Sequence, residues 1–379
     1  VIDLFRVSMS ERAGAGAAEV LASGYIGQGK HVDAFERELK LVFDAERDVL
    51  TLNSCTSALD LALRMVNPGP PGDGGFVVST PMTCSATNSP IVTQGHRLLW
   101  ADVDPVTGLI DPESVARILA TPLGPTVLAV VAVDWAGRMC DYNALRAVCD
   151  PYGVPIIEDA AHAPLATYHG RYQTRVGGDY ICWSFQAIKH LTTGDGGALQ
   201  CPTSEATERA RLLRWYGLDR RSTADFRCEQ DIEEVGFKYH MNDIAAIIGR
   251  VNLPHLGGVV RAHRGHARFY DKVLGDLPPE RVQLPPPDAG SSYWLYTVLV
   301  EDRAAFQAHL LDRGIATSQV HRRNDHHPAF KAAEHPASDA RPGLEHFAAH
   351  QVSIPVGWWL SADDLARVAE AVREWALRG

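Results

Sequence analysis

Apolar runs of four to seven residues recur through the first half of the chain, separated by stretches in which apolar positions follow a helical period. The runs Phe76–Ser79, Arg97–Trp100, Val127–Val133, Val154–Glu158 and Tyr180–Phe185 are rich in Val, Ile, Leu and aromatic residues. Continuous rather than alternating apolar character marks strands covered on both faces. Pro112–Ala120 and Asp141–Tyr152 read as helices between them, so the pattern predicts an α/β fold with a mainly parallel sheet and helices on both sides. From Met241, the positions Ile244, Ala245, Ile248 and Val251 continue a further helix. Leu277–Gly290 holds five prolines in fourteen residues, too many for a helix or a central strand, and reads as an ordered connection. After it, Tyr293–Val300 reads as a strand and Arg303–Arg313 as a helix stopped by Gly314. The last helix opens at Ser361 with Asp364 completing a capping box, and Leu365, Val368, Val372 and Trp375 form its buried face. The expected organisation is a large unit over 1–255 and a smaller one over 256–379.

Two of these runs carry candidate chemistry. Val154–His162 delivers Asp159 at the end of a strand, where open α/β sheets place their ligand-binding groups. Ser184–Gly197 isolates Lys189 between a strand and a glycine-rich turn. Pyridoxal phosphate (PLP) requires such a pair: an amine to form a Schiff base with its aldehyde, and a carboxylate to keep its pyridine nitrogen protonated. Its phosphate suits the N-terminus of a helix, where free N–H groups and the positive dipole end coincide. Asn53–Leu59 has that character, with Thr56 and Ser57 as the cradle and Ser184 as a further hydroxyl from the strand side. Plainer readings exist for each residue alone: Asp159 as a helix cap, Lys189 as a solvated charge, and the hydroxyls as an ordinary N-cap.

Taken in order, six segments resemble the DegT/DnrJ/EryC1/StrS family of sugar aminotransferases. They are Gly24–Gly29 with Val32–Glu36, Ser54–Leu59, Thr80–Asn88, Glu158–His162, Ser184–Gly197 and Gly236–Asp243. The resemblance covers almost the whole chain. It implies the fold type I, aspartate-aminotransferase-like architecture: a large domain with a mainly parallel seven-stranded sheet, and a smaller C-terminal α/β domain. It also implies that Lys189 carries PLP, that Asp159 partners its ring nitrogen, and that His162 lies near the ring and its 3-hydroxyl. Thr56, Ser57 and Ser184 match phosphate contacts. Lys238 matches a position that reaches the phosphate from the neighbouring subunit of a homodimer, although many relatives have asparagine there. Cys84 stands where an aromatic residue often stacks on the ring, and Asp195 replaces a more usual glutamate. Relatives that substitute histidine for the lysine dehydrate their substrates, so Lys189 points to transamination.

The composition fits a soluble enzyme: 379 residues allow a large core, 46% are apolar and 22% charged. A formal charge of −10 leaves no polyanion-binding footprint, so neither nucleic acid nor an anionic membrane is the expected partner. Seven cysteines, at 55, 84, 140, 149, 182, 201 and 228, show no CxxC spacing and suggest reduced thiols in a cytoplasmic compartment. The first residues show no basic region followed by an apolar run, so no signal peptide is expected. Val127–Val133, the longest strongly apolar run, is too short to span a bilayer.

On the substrate side, Ser318–His327 is rich in hydrogen-bond donors, and His321, Arg322 and Asn324 are the candidates for a sugar-diphosphate site. A solvated polar loop, or a metal site built from His321, His326 and His327, are the competing readings. The resemblance implies transfer of an amino group, from glutamate as the expected donor, to a nucleotide-linked keto sugar. Its nearest pattern is that of enzymes aminating dTDP-4-keto-6-deoxyglucose at C4, including those of calicheamicin type. The alternatives are a ketocyclitol aminotransferase of the scyllo-inosose kind, a cofactor-binding regulator without catalysis, and a nicotinamide-dependent sugar dehydrogenase. The last would need a GxGxxG turn after the first strand, and Gly24–Gly29 does not sit in one.

Overall fold

The computed structural model describes residues 1–67, 74–222 and 229–377, so Cys228 lies outside the described residues. Among the described residues, twelve short strands are found: β1 (Val49–Leu52), β2 (Phe76–Ser79), β3 (Arg97–Trp100), β4 (Val127–Val133), β5 (Ile156–Asp159), β6 (Thr167–Tyr168), β7 (Arg171–Tyr172), β8 (Tyr180–Ser184), β9 (Gly197–Gln200), β10 (Val282–Gln283), β11 (Tyr296–Val300) and β12 (Gln351–Ile354). Seven of them form one sheet in the order β1-β9-β8-β5-β4-β2-β3. Only β9 runs against its neighbours; the pairs from β8 through β5, β4 and β2 to β3 are all parallel.

Alternate residues of each strand feed different cores, because successive side chains point to opposite faces of a sheet. Val78, Leu99, Val130, Ala132, Ile156, Ile181 and Trp183 enter one apolar cluster. Val77, Leu98, Ala129, Val131, Ile157 and Cys182 enter another on the opposite side. This two-sided burial explains the unbroken apolar runs, and it makes β2, β3 and β4 coincide residue for residue with the stretches expected from the sequence. The seven-stranded, mainly parallel sheet implied by the family resemblance is what the chain forms.

A three-stranded antiparallel sheet, β10-β11-β12, carries the smaller unit. The helices Leu256–Leu274, Arg303–Leu311 and Ala362–Leu377 pack on it through Tyr270, Phe306, Leu310, Val368 and Val372. The proline-rich stretch supplies the edge strand β10, where a missing N–H costs no central ladder bond. Segments are exchanged between the units: Ile2 sits in the C-terminal cluster, and Phe330 packs with the helix Cys55–Val66. The capping box forms as read, with Ser361 N–H donating to Asp364 and Asp364 N–H to Ser361 Oγ, both at 3.1 Å.

Two boundaries differ from the sequence reading for identifiable reasons. β5 begins at Ile156, one residue beyond Pro155, which has no N–H to pair. β11 begins at Tyr296 rather than Tyr293, because Tyr293 adopts a positive φ of 48°. Its neighbours turn aside to the large unit: Ser292 N–H donates to Gly137 O at 2.8 Å and Leu295 N–H to Ala136 O at 3.3 Å. Gly137, at φ 95°, admits this approach, since a Cβ there would lie 2.8 Å from Tyr293 N and 2.9 Å from His162 O. The detour carries Trp294 inward.

Beside the sheet edge lies a buried acid pair. Asp134 follows β4 and accepts from Cys140 N–H and Tyr142 OH at 2.9 Å and from Gln173 Nε2 at 3.2 Å. Glu158, on β5, accepts from Gly178 N–H at 2.7 Å. Burial raises both carboxyls; Asp134 raises Glu158 further whereas Glu158 lowers Asp134, so Glu158 is the member of the pair that keeps its proton. A group whose folded pKa is raised stabilises the fold at low pH, and that contribution is lost as pH climbs through the folded value. Glu158→Gln keeps a neutral donor there, so its melting temperature should gain on wild type as pH rises from 5 to 8. Parallel melting curves across that range would exclude a shared proton.

Candidate active site

The carboxyl ends of β1, β5 and β8 converge on one edge of the sheet, with Asp159 opposite Cys182 and Ser184 opposite Gly197. After β1 the chain turns into the helix Cys55–Val66, whose N-cap Ser54 accepts from Ser57 N–H at 3.0 Å. Ser57 Oγ donates to Asn53 Oδ1 at 2.7 Å, fixing the turn. The first N–H groups of a helix lack intrahelical acceptors, so this end is ready for an anion. Gly197 allows β9 to start against it: a Cβ there would lie 2.5 Å from Cys55 N. Thr56 is half-buried and Ser57 and Ser184 are buried, the first two in the opening turn of this helix and Ser184 at the end of β8, opposite Gly197. Ser184 Oγ accepts from Gln186 N–H at 3.3 Å.

Asp159 ends β5 and is buried. Its carboxylate accepts from Thr87 Oγ1 at 2.7 Å and Ala161 N–H at 3.1 Å, with Cys55 Sγ at 4.0 Å. Burial pushes this carboxyl up, against the pull of Thr87, Ala161 and Lys189. An acid enclosed with incomplete countercharge suits a cationic pyridine nitrogen. Lys189 lies in the β8–β9 connection, part of its stem reaching solvent while its amine is enclosed. Burial lowers the amine to about 8, against Asp159, Cys55 and Cys84. The amine is therefore a usable base near neutral pH, while its charge state still responds to Asp159.

His162 is buried and stacked on Trp294, ring centroids 3.9 Å apart at 23°. Burial, with Lys189, His321 and His190 nearby, holds its pKa well below the ordinary histidine value, so it is neutral. Cys84 caps the helix Ser85–Thr93, half-buried, and couples electrostatically to Lys189. Lys238 is exposed and lies with its ammonium 4.4 Å from the Trp215 ring, while its carbonyl accepts from Asn53 Nδ2 at 3.3 Å.

The candidate sugar residues separate. His321 lies parallel to His162 at 5.9 Å and edge-on to Trp135 at 5.6 Å, and its pKa is lowered to about 4 by burial and Lys189. Arg322 is exposed beside His326 O. Asn324 departs from the sequence reading: it is buried, donates to Thr83 O at 2.8 Å and accepts from Asn88 Nδ2 at 2.9 Å. It fastens the loop that precedes the helix Ser85–Thr93 instead of facing a ligand. Among the described residues, no group of three or more His, Cys, Asp or Glu could hold a metal ion.

Sequence reading missed Thr87 and Trp294. Thr87 lies within the Thr80–Asn88 segment, in the first turn of the helix Ser85–Thr93, and its hydroxyl is 2.7 Å from that of Thr83 in the preceding loop. Trp294 gave no local signal, because it arrives from the other unit through the Tyr293 turn.

Taken together, the lysine, the aspartate and the helix N-terminus fit pyridoxal phosphate. Residues 8–373 match the DegT/DnrJ/EryC1/StrS aminotransferase family. The chain belongs to this family. It is 35% identical over 318 residues to the dTDP-4-dehydro-2,3,6-trideoxy-D-glucose 4-aminotransferase of Saccharopolyspora spinosa, covering 79% of each chain. It is 32% identical over 371 residues to the dTDP-3-amino-3,4,6-trideoxy-alpha-D-glucose transaminase of Streptomyces venezuelae, covering 96% of this chain and 92% of that one. The crystal structure of the sugar aminotransferase CalS13 from Micromonospora echinospora superposes with a TM-score of 0.90 at 37% identity, over 99% of this chain and 100% of that one. The protein is thus a PLP-dependent sugar aminotransferase of the DegT/DnrJ/EryC1/StrS family.

Proposed function

We propose that this aminotransferase moves an amino group from L-glutamate to C4 of dTDP-4-keto-6-deoxyglucose, giving dTDP-4-amino-4,6-dideoxyglucose. The observation that carries the transfer chemistry is the enclosed Lys189 amine, lowered to about 8 and under the influence of the buried Asp159 carboxylate. The C4 position is supported by the relative that acts at C4 of a dTDP-linked deoxysugar. A C3 reading has its own support in the Streptomyces venezuelae relative.

When bound, pyridoxal phosphate supplies an aldehyde and an electron-accepting ring. Asp159 holds the proton at the ring nitrogen, with Thr87 and Ala161 orienting its carboxylate. Lys189 Nζ takes a proton from the donor carbon that bears the amine and returns one to the sugar carbon that receives it. Neutral His162 suits the ring hydroxyl, and Cys84 the ring face. Thr56, Ser57 and Ser184, with the N–H groups of the helix Cys55–Val66, hold the phosphate. His321 and Arg322 bind the sugar nucleotide. We read the working enzyme as a homodimer in which Lys238 reaches the partner's phosphate, with units 1–255 and 256–379 closing over the site. The six described cysteines are free thiols, which suits the cytoplasm. Among the described residues, no helix is long and apolar enough to cross a membrane.

The test is incubation of the loaded enzyme with glutamate and a panel of 3-keto and 4-keto hexoses carrying dTDP, UDP or GDP, with products read by mass and NMR. The 4-amino product from the dTDP 4-keto sugar is expected to form fastest. Faster amination at C3, or of a sugar without nucleotide, would overturn the assignment.

A further inference from the structure

One indole, buried and contributed by the C-terminal unit, touches the two groups of the large unit that flank the reaction. The Trp294 ring lies 3.5 Å from Lys189 Nζ and stacks on His162 at 3.9 Å. Its Nε1–H donates to Ile188 O at 3.0 Å, gripping the residue immediately before the lysine. Phe5, from the first residues of the chain, stacks on the same indole at 5.0 Å and 24°. The rings of Phe5, Trp294, His162 and His321 thus form a continuous series of contacts from the N-terminal segment to the candidate sugar loop.

We propose that Trp294 is a positioning residue for amino transfer: it seats the free amine of Lys189 over its ring and fixes the plane of His162. An ammonium over an indole face is attracted by the ring quadrupole, most strongly where water is excluded. The grip on Ile188 limits backbone movement at the lysine. Together they hold the amine, whenever it is free, within the pocket rather than letting the stem swing towards solvent. The proposal rests on Lys189 being the reacting amine. The other groups facing that amine are Asp159 from β5, Cys55 from the helix Cys55–Val66, Cys84 from the cap of Ser85–Thr93, and the neutral rings of His162, His190 and His321.

The experiment compares wild type with Trp294→Leu and Trp294→Phe. In the cofactor-free protein, the pH dependence of Lys189 acylation is followed by peptide mass mapping. Wild type should reach half-reactivity near pH 8. Without the ring the ammonium loses an attraction, so the Leu midpoint should fall by roughly half to one unit, with Phe between the two. In the loaded enzyme, kcat of the Leu variant should drop roughly tenfold with KM for both substrates within about twofold, and Phe should restore part of it. An acylation midpoint that stays put or rises overturns the seat, a rise marking the indole as cover that only keeps water from the amine. A moved midpoint with unchanged kcat overturns the positioning role. Should Leu fail to fold, Phe against wild type gives the same two readings. Failure of the lysine assignment itself would show separately, as activity surviving in Lys189→Ala.

Discussion

Lys189→Ala is expected to abolish amino transfer, a loss of at least roughly 10²–10⁴-fold for the proton transfers alone. The remaining lysines, at 30, 40, 238, 272 and 331, lie elsewhere in the sequence, and Lys238 is turned onto Trp215. No second amine is therefore aligned with Asp159. Lys189→Arg should be equally inactive although it keeps the charge, because a guanidinium is not deprotonated near neutral pH. Burial lowers the amine to about 8 in the cofactor-free protein, so Lys189, unlike an arginine in its place, can shed its proton near neutral pH. Borohydride treatment of the loaded wild type should leave the cofactor's mass on the peptide carrying Lys189, and on none in the Ala variant. Retained turnover or a label on another lysine would refute the assignment.

Much of this site could be read from residues alone because its parts sit where backbone geometry leaves few options. Asp159 had to end a strand and Lys189 had to lie in a turn, and β5 and the β8–β9 connection place them so. The helix start at Ser54 was legible from a small hydroxyl residue followed by apolar positions of helical period. Strands buried on both faces announce themselves by continuous apolar character, which is why β4 was legible end to end. β1 and β9 were not, because Thr51 interrupts the first and Gly197 and Gln200 bound the second, leaving no unbroken apolar run.

What the sequence hid were contacts between distant segments. Asn324 looked like a ligand because it stands in a polar loop, yet its amide is held by Thr83 and Asn88. Trp294 looked like one more apolar residue in a strand. A positive φ at Tyr293 and the space left by Gly137 redirect it onto Lys189. Neither effect has a local periodicity, so no reading of spacing could find it.

Asp159→Asn separates catalysis from stability. The side chain keeps its shape, and its carbonyl oxygen can still accept from Thr87, but it cannot hold a cationic ring nitrogen by charge. Loss of a preorganised electrostatic partner in an enclosed site costs roughly 10²–10³-fold in kcat. Stability should move the other way. Burial raises the Asp159 carboxyl in the cofactor-free protein, so its contribution to the fold is present at low pH and is lost as pH rises through that raised value. A neutral amide escapes this loss. The cofactor-free Asn variant should therefore melt at or above the wild-type temperature at pH 8, while the loaded variant turns over far more slowly. Near-normal turnover would remove Asp159 from the reaction. A variant that is both slow and markedly less stable at pH 8 would instead mark it as a structural residue, because an enclosed charge without its cation is a burden on the fold, and removing one should not weaken it.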